Sequence, residues 1–124
     1  MIVVDSSALI ALVQGEPGAE RVVLAMAEGI VSAVILVECL SKLAERGHDP
    51  EAVKVRFLRA GLRAEPFTPD DTMGVVAMHE LSKRGVSLAD RFCLALAIDL
   101  DLPVLTGDRA WADLGLPVKI ELIR

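Results

Sequence analysis

Short β-type apolar runs alternate with longer helical ones along this chain, and no other feature restricts its fold as much. Ile2 to Val4 reads as a buried strand, Ser7 to Val13 as a short helix, and Gly15-Glu16-Pro17-Gly18 as a break. Ala19 to Glu28 follows as a helix and Ile30-Val31 as a brief strand. Ala33 to Arg46 is a helix that stops at Gly47. Asp49-Pro50 has the form of an N-cap with proline at the first helical position, which predicts a helix to about Leu62. Ala64 to Phe67 is a short candidate strand. Thr68-Pro69 opens a helix that reaches Lys83 and ends at Gly85, and Ser87 opens another that ends near Asp99. Pro103 to Thr106 and Val118 to Ile123 complete the strands, with a short helix after Asp108 between them. Strands alternating with helices predict parallel βαβ units. The expected fold is α/β, one domain over residues 1–124, with an open parallel sheet of about five strands and helices on both faces.

Composition agrees with such a sheet. Apolar residues make up 53% of the chain and aromatics only 3%, so the core is built from Ala, Val, Leu and Ile, as suits a parallel sheet covered on both faces. A mean hydropathy of +0.51 leaves apolar surface for a partner. The longest apolar stretch, Ile30 to Val37, is broken by Ser32 and is too short to span a bilayer. No basic segment precedes Asp5, so the N-terminus does not read as a signal peptide. Cys39 and Cys93 sit in apolar, helix-like segments and read as buried reduced thiols. The expected location is the cytoplasm, without a membrane segment.

The net charge of −5 argues, taken alone, against a nucleic-acid partner. That objection weakens if Asp5, Glu38, Asp90 and Asp108 form one metal site. Setting these four aside brings −5 to −1, and a divalent cation offsets the cluster itself.

Each of these acids also has a plainer reading. Asp5 is the only charged side chain among the first fifteen residues. It is either a helix N-cap or a carboxylate that must be paired or metal-bound to be buried. Glu38 fits an ordinary polar helix face, pairing with Lys42 one turn on. Ser87 and Asp90 fit a capping box, although a first-turn acid can also face a site. Asp108, in Leu105-Thr106-Gly107-Asp108, is either a turn residue or an acid presented above a strand end. Their joint placement says more than any one of them. Each lies at a strand end or in the first two turns of the following helix, and in a parallel sheet those places converge on one edge. Carboxylates gathered there repel one another unless a cation neutralises them. An all-oxygen ligand set selects Mg²⁺ or Mn²⁺, ions suited to phosphate esters.

Other chemistries lack parts. His48 and His79 are isolated in polar surroundings and read as surface residues. No zinc spacing, P-loop or nucleophile elbow occurs, and Trp111 reads as packing.

The chain resembles the PIN-domain family, especially the VapC-type toxins of prokaryotic toxin–antitoxin pairs. The resemblance rests on the opening Met-Ile-Val-Val-Asp-Ser-Ser-Ala, on Glu38 in the third helix, on Ser-Leu-Ala-Asp at 87–90 with the following Leu-Ala-Leu-Ala, and on Leu-Thr-Gly-Asp at 105–108. It implies an endoribonuclease dependent on Mg²⁺ or Mn²⁺, with Asp5, Glu38, Asp90 and Asp108 as metal ligands and catalytic residues. It implies that Ser6 or Thr106 orients a carboxylate or water, and that cleavage leaves 5′-phosphate and 3′-hydroxyl ends. It further implies a homodimer and inhibition by a small antitoxin. There is one departure: Ala110 stands where many relatives carry a further acid, and Asp113 comes five residues after Asp108.

RNA contacts are expected on basic residues. Lys42 to Arg63 holds six basic residues against three acids, and Arg56, Arg59 and Arg63 have the spacing of one helix face. A solvated face is the plainer reading of that stripe. Arg91 and Arg109 stand beside two of the proposed ligands. Two readings from other classes remain: a phosphoacceptor receiver domain, which needs paired acids after the first strand, and a catalytically inactive PIN-like binding module.

Overall fold

The computed structural model describes residues 1–124. Five short strands form one parallel sheet: β1 (Ile2–Val4), β2 (Gly29–Ser32), β3 (Arg63–Glu65), β4 (Val104–Thr106) and β5 (Ile120–Leu122), in the order β3-β2-β1-β4-β5. Six α-helices connect them: α1 (Ser6–Gln14), α2 (Ala19–Ala25), α3 (Ala33–Glu45), α4 (Pro50–Arg59), α5 (Thr72–Val76) and α6 (Leu88–Leu100). The chain steps outward from β1 through β2 to β3, then returns past β1 to lay down β4 and β5. With right-handed crossovers this reversal puts the helices of the two halves on opposite faces. The order also excludes a receiver domain, whose flavodoxin-like sheet runs 2-1-3-4-5.

The three central strands are completely buried, and the edge strands β3 and β5 are partly open. That gradient follows the sequence, because β1, β2 and β4 are nearly continuous in Ile, Val and Leu. The core around them is aliphatic, with Phe57 and Trp111 its principal aromatics. A fully buried Leu such as Leu9, Leu43 or Leu94 contributes about 1.5–3 kcal/mol by leaving water. Cys39 and Cys93 are free thiols inside this core.

Two stretches depart from the sequence reading. The helix expected to reach about Leu62 ends at Arg59, because Gly61 takes φ +102° and turns the chain into β3. A side chain could not replace that glycine easily, since a Cβ there would lie 2.8 Å from Ala27 Cα. The single helix expected from Thr68 to Lys83 is broken instead. A 3-10 turn at Pro69–Asp71 leads into α5, and a second 3-10 segment spans His79–Arg84. Only Val75 is buried in α5, so little packing holds a regular helix there.

Candidate active site

In an open parallel sheet, ligands bind beyond the carboxyl ends of the strands, where the strand order reverses. Here that point lies between β1 and β4. Asp5 follows β1, and Thr106, Gly107 and Asp108 close and follow β4. The ladder keeps the two segments together to the end, with the Asp5 N–H donating to the Leu105 carbonyl at 3.0 Å. α3, which carries Glu38, packs against both α1 and α6, and α6 carries Asp90.

Asp5 is only 3% exposed. It occupies the N-cap position of α1, but its carboxylate makes no capping hydrogen bond. Its Oδ2 instead accepts from Ser7 Oγ at 2.7 Å and Thr106 Oγ1 at 2.9 Å. Its Oδ1 is buried without a hydrogen-bond partner. Burial raises its pKa, opposed by the Ser7 and Thr106 hydroxyls and the nearby Ser6 N–H dipole, and the Asp90 charge raises it further. So the simple N-cap reading of Asp5 does not hold. What remains is a secluded carboxylate with one oxygen unused, the situation a cation relieves.

The other acids surround it at greater remove. Glu38 Oε1 accepts from Ser6 Oγ at 2.6 Å and lies 3.8 Å from Lys42 Nζ, so its expected ion pair is present alongside a tie to the site. Asp90 forms the expected capping box: Oδ2 accepts from the Ser87 N–H at 2.9 Å, and the Asp90 N–H donates to Ser87 Oγ. The exposed Asp108 caps the 3-10 turn Arg109–Asp113 through the Ala110 N–H at 3.0 Å. Its own N–H donates to Thr106 Oγ1, which joins it to Asp5 through one hydroxyl. The two buried thiols lie within reach of these charges. Burial pushes Cys39 up to about 12, with Asp5 and Glu38 adding to the rise. It raises Cys93 likewise, with Asp5, Asp90 and Glu38 contributing.

The donor chemistry therefore fits a hard divalent cation: all oxygen, with the Oδ1 of Asp5 unsatisfied. In this conformation no three His, Cys, Asp or Glu side chains come near enough together to hold one. The Asp90 and Asp108 carboxylates instead accept from N–H groups of their own helical turns.

Of the two hydroxyls singled out from the sequence, Ser6 serves Glu38 and Thr106 serves Asp5. Ser7 was missed. It binds Asp5, accepts from the Gly107 N–H at 2.8 Å and lies 3.2 Å from Thr106 Oγ1. Its only sequence signal is its place in Asp5-Ser6-Ser7. Asp113 ends the 3-10 turn, where its carbonyl accepts from Arg84.

The arginine stripe needs correction. Arg56 and Arg59 lie on the last turn of α4, but Arg63 is not on that helix. It opens the edge strand β3, level with Ile30 and so with Val3, and pairs with Glu65 at 3.2 Å. Gly61 is the physical reason, because the helix has already ended. Arg91 Nε donates to the Ser87 carbonyl within its own helix turn, and Arg109 is exposed beside Asp108.

Fold and site thus define an open parallel α/β domain with a buried, incompletely partnered carboxylate, Asp5, where the strand order reverses. The chain belongs to the PIN domain family, whose model matches residues 2–116. It is similar to ribonuclease VapC1 of Mycobacterium tuberculosis, at 32% identity over 98% of this chain and 97% of that protein. Among solved structures, it shares its fold with a toxin–antitoxin complex from Klebsiella pneumoniae, at a TM-score of 0.78 and 17% identity over 100% of this chain and 98% of that one. The sarcin–ricin loop cleaving toxin VapC20 of Mycobacterium tuberculosis matches at a TM-score of 0.73 and 20% identity, over 96% of this chain and 99% of that one.

Proposed function

We propose that this chain is an endoribonuclease that depends on Mg²⁺ or Mn²⁺ and acts as the toxin of a toxin–antitoxin pair in the cytoplasm. The observation that carries the proposal is Asp5: buried, its pKa raised by that burial, held by two hydroxyls through one oxygen and left unpartnered on the other. The VapC1 relative, itself a ribonuclease, supports the choice of substrate. No helix here is long and apolar enough to cross a membrane.

Asp5, Glu38, Asp90 and Asp108 would hold the cation. When bound, it supplies a counter-charge for the phosphate and a water acidic enough to yield a nucleophile near neutral pH. The chain's own part is placement. Ser7 and Thr106 fix the plane of the Asp5 carboxylate, and Ser6 fixes Glu38. Thr106 also sets the backbone of Asp108, so one hydroxyl ties two of the acids together. The two central strands make this frame rigid, which keeps a reacting phosphate in register with the acids.

Partners are read from the remaining surface. Leu12, Val13, Val23, Met26, Val53 and Phe57 line most of an apolar groove of about 310 Å³ between α1, α2 and α4. A groove of this kind suits the apolar face of an antitoxin helix, and the Klebsiella pneumoniae toxin–antitoxin complex supports a protein partner. The exposed Val37, Met73, Val76 and Leu88 lie on α3, α5 and α6 and suit a second copy of the chain.

The test is cleavage of a structured RNA by the purified chain. Millimolar Mg²⁺ or Mn²⁺ should support scission with 5′-phosphate products, and a chelator should stop it reversibly. Equal cleavage with and without chelator would reject metal dependence. The absence of cleavage on every RNA supplied with metal would favour an inactive binding module.

A further inference from the structure

Beside the acids lies a second cleft of about 260 Å³, and its lining is basic. Ser6, Ser7, Glu16, Lys42, Arg46 and Arg124 form most of its wall. Three cations line it with one acid, Glu16, which lies 3.8 Å from Arg124 Nη1, in a chain whose net charge is −5. We propose that this cleft holds a backbone phosphate of the RNA strand next to the cut, with Lys42, Arg46 and Arg124 as its contacts. The inference rests on the nuclease reading above and assigns the place where the strand runs.

Continuity with the acids is the first argument. The two serines that line the cleft are the ones that orient the carboxylates, Ser6 on Glu38 at 2.6 Å and Ser7 on Asp5 at 2.7 Å. A strand lying in the cleft would pass directly onto the acid group. Placement of the cations is the second. Lys42 stands 3.8 Å from Glu38 on one side. On the other, the β4–β5 ladder, with Ile123 N–H on the Thr106 carbonyl at 3.0 Å, carries Arg124 alongside Gly107. A Cβ on Gly107 would come 3.1 Å from Arg124 Nη2, so the missing side chain makes room for the guanidinium against the backbone that follows β4. Cations therefore flank the acids from both sides, and they offset the repulsion an incoming phosphate meets there.

The guanidinium groups are also held in place. Arg46 Nη1 donates to Gln14 Oε1 at 2.6 Å, and Arg124 Nη1 donates to the Pro17 carbonyl at 2.9 Å. Each arginine has further N–H groups to offer a phosphate, and a side chain already held loses less freedom on binding. Arg56 and Arg59 lack both properties. Arg56 lines the apolar groove instead, and neither lines the cleft. Phosphate contacts of this kind position a strand without reading its sequence.

The experiment uses the full chain carrying Asp5→Asn, so that bound RNA survives. Affinity for two unrelated short single strands is measured across a salt series. The measurement is repeated after adding Arg46→Gln with Arg124→Gln, and again after adding Lys42→Gln as well. The pair leaves the Glu38 ion pair untouched, and thermal melts confirm the fold of each variant. Each lost phosphate contact on a single strand lowers the salt slope by roughly 0.7, so the pair should lower it by about 1.4 and the triple by about 2. Both strands should weaken by the same factor. An unchanged slope in variants whose Asp5→Asn parent binds RNA would overturn the cleft and leave the nuclease reading standing. Loss of the antitoxin with RNA binding intact would also overturn it, by giving the cleft a protein occupant. Failure of the native chain to bind or cleave any RNA with Mn²⁺ present would instead remove the nuclease reading, and the cleft with it.

Discussion

Asp5→Asn should abolish RNA cleavage while making the metal-free fold more stable at neutral pH. The amide oxygen can take the place of Oδ2 and accept from both Ser7 and Thr106, so the frame is kept. The buried titratable carboxyl is lost. Removing a ligand that supplies several kcal/mol of charge stabilisation corresponds to a fall in rate of at least about 100-fold, at 1.36 kcal/mol per factor of ten. The stability effect has the opposite sign. The pKa of Asp5 is raised in the folded chain, chiefly by burial. Its contribution therefore favours folding below the unfolded pKa and is lost as pH rises through the folded value. Above the unfolded pKa a carboxyl whose folded pKa is raised costs the metal-free protein stability, and Asn removes that cost. Melting curves from pH 4 to pH 8 should show the native chain losing stability relative to the variant as pH rises. For a chain of this size, each kcal/mol shifts Tm by about 4 °C. Full activity in the variant, or a Tm below that of the native chain at neutral pH, would count against a secluded catalytic carboxylate.

A second large effect is expected at the apolar groove. Val23 is 58% exposed, and Ala60 is exposed at the end of α4; both line the groove. Val23→Asp with Ala60→Glu would place two charges where an apolar helix face should sit, without disturbing buried packing. Truncating an interface anchor typically costs 2 kcal/mol or more, and burying an unpaired charge costs more than that. The antitoxin, recovered from the native host with the tagged native chain, should lose at least about 100-fold in affinity for the double variant. RNA cleavage by the free variant should persist, because the groove is formed by α1, α2 and α4 and the acids lie beyond the strand ends. Unchanged antitoxin binding would place the partner on another surface.

Much of this architecture is legible in the sequence because local signals and tertiary demands agree there. Ile2-Val3-Val4 and Val104-Leu105-Thr106 are too short and too apolar to be anything but buried strands. The caps at Asp49 and Ser87 form as their spacing implies. The reading fails where one residue overrides a periodic pattern. Leu62 continues the apolar spacing of α4 and is buried, but Gly61 has already ended the helix. Asp5 stood out because it is alone among apolar neighbours. Its unpartnered oxygen was not legible, because that depends on how Ser7 and Thr106, 99 positions apart, meet above the sheet. The basic cleft was hidden for the same reason. Ser6, Lys42 and Arg124 come from α1, α3 and the residue after Ile123, and only tertiary packing brings them together. Charge spacing along the sequence puts Arg56, Arg59 and Arg63 on one helix face, but only Arg56 and Arg59 share α4, and Arg63 belongs to β3.

The central claim is that Asp5, Glu38, Asp90 and Asp108 form one cation site, and a Mn²⁺ titration followed by thermal melting tests it most directly. A ligand bound only by the native state at about 100 times its Kd stabilises that state by about 2.7 kcal/mol. The native chain should therefore show a saturable rise in Tm. Asp5→Asn should remove the rise, and Glu38→Gln, Asp90→Asn and Asp108→Asn should each shift it to higher Mn²⁺. A melting temperature that does not change with millimolar Mn²⁺ in the native chain, or the same rise in all four variants, would contradict the account.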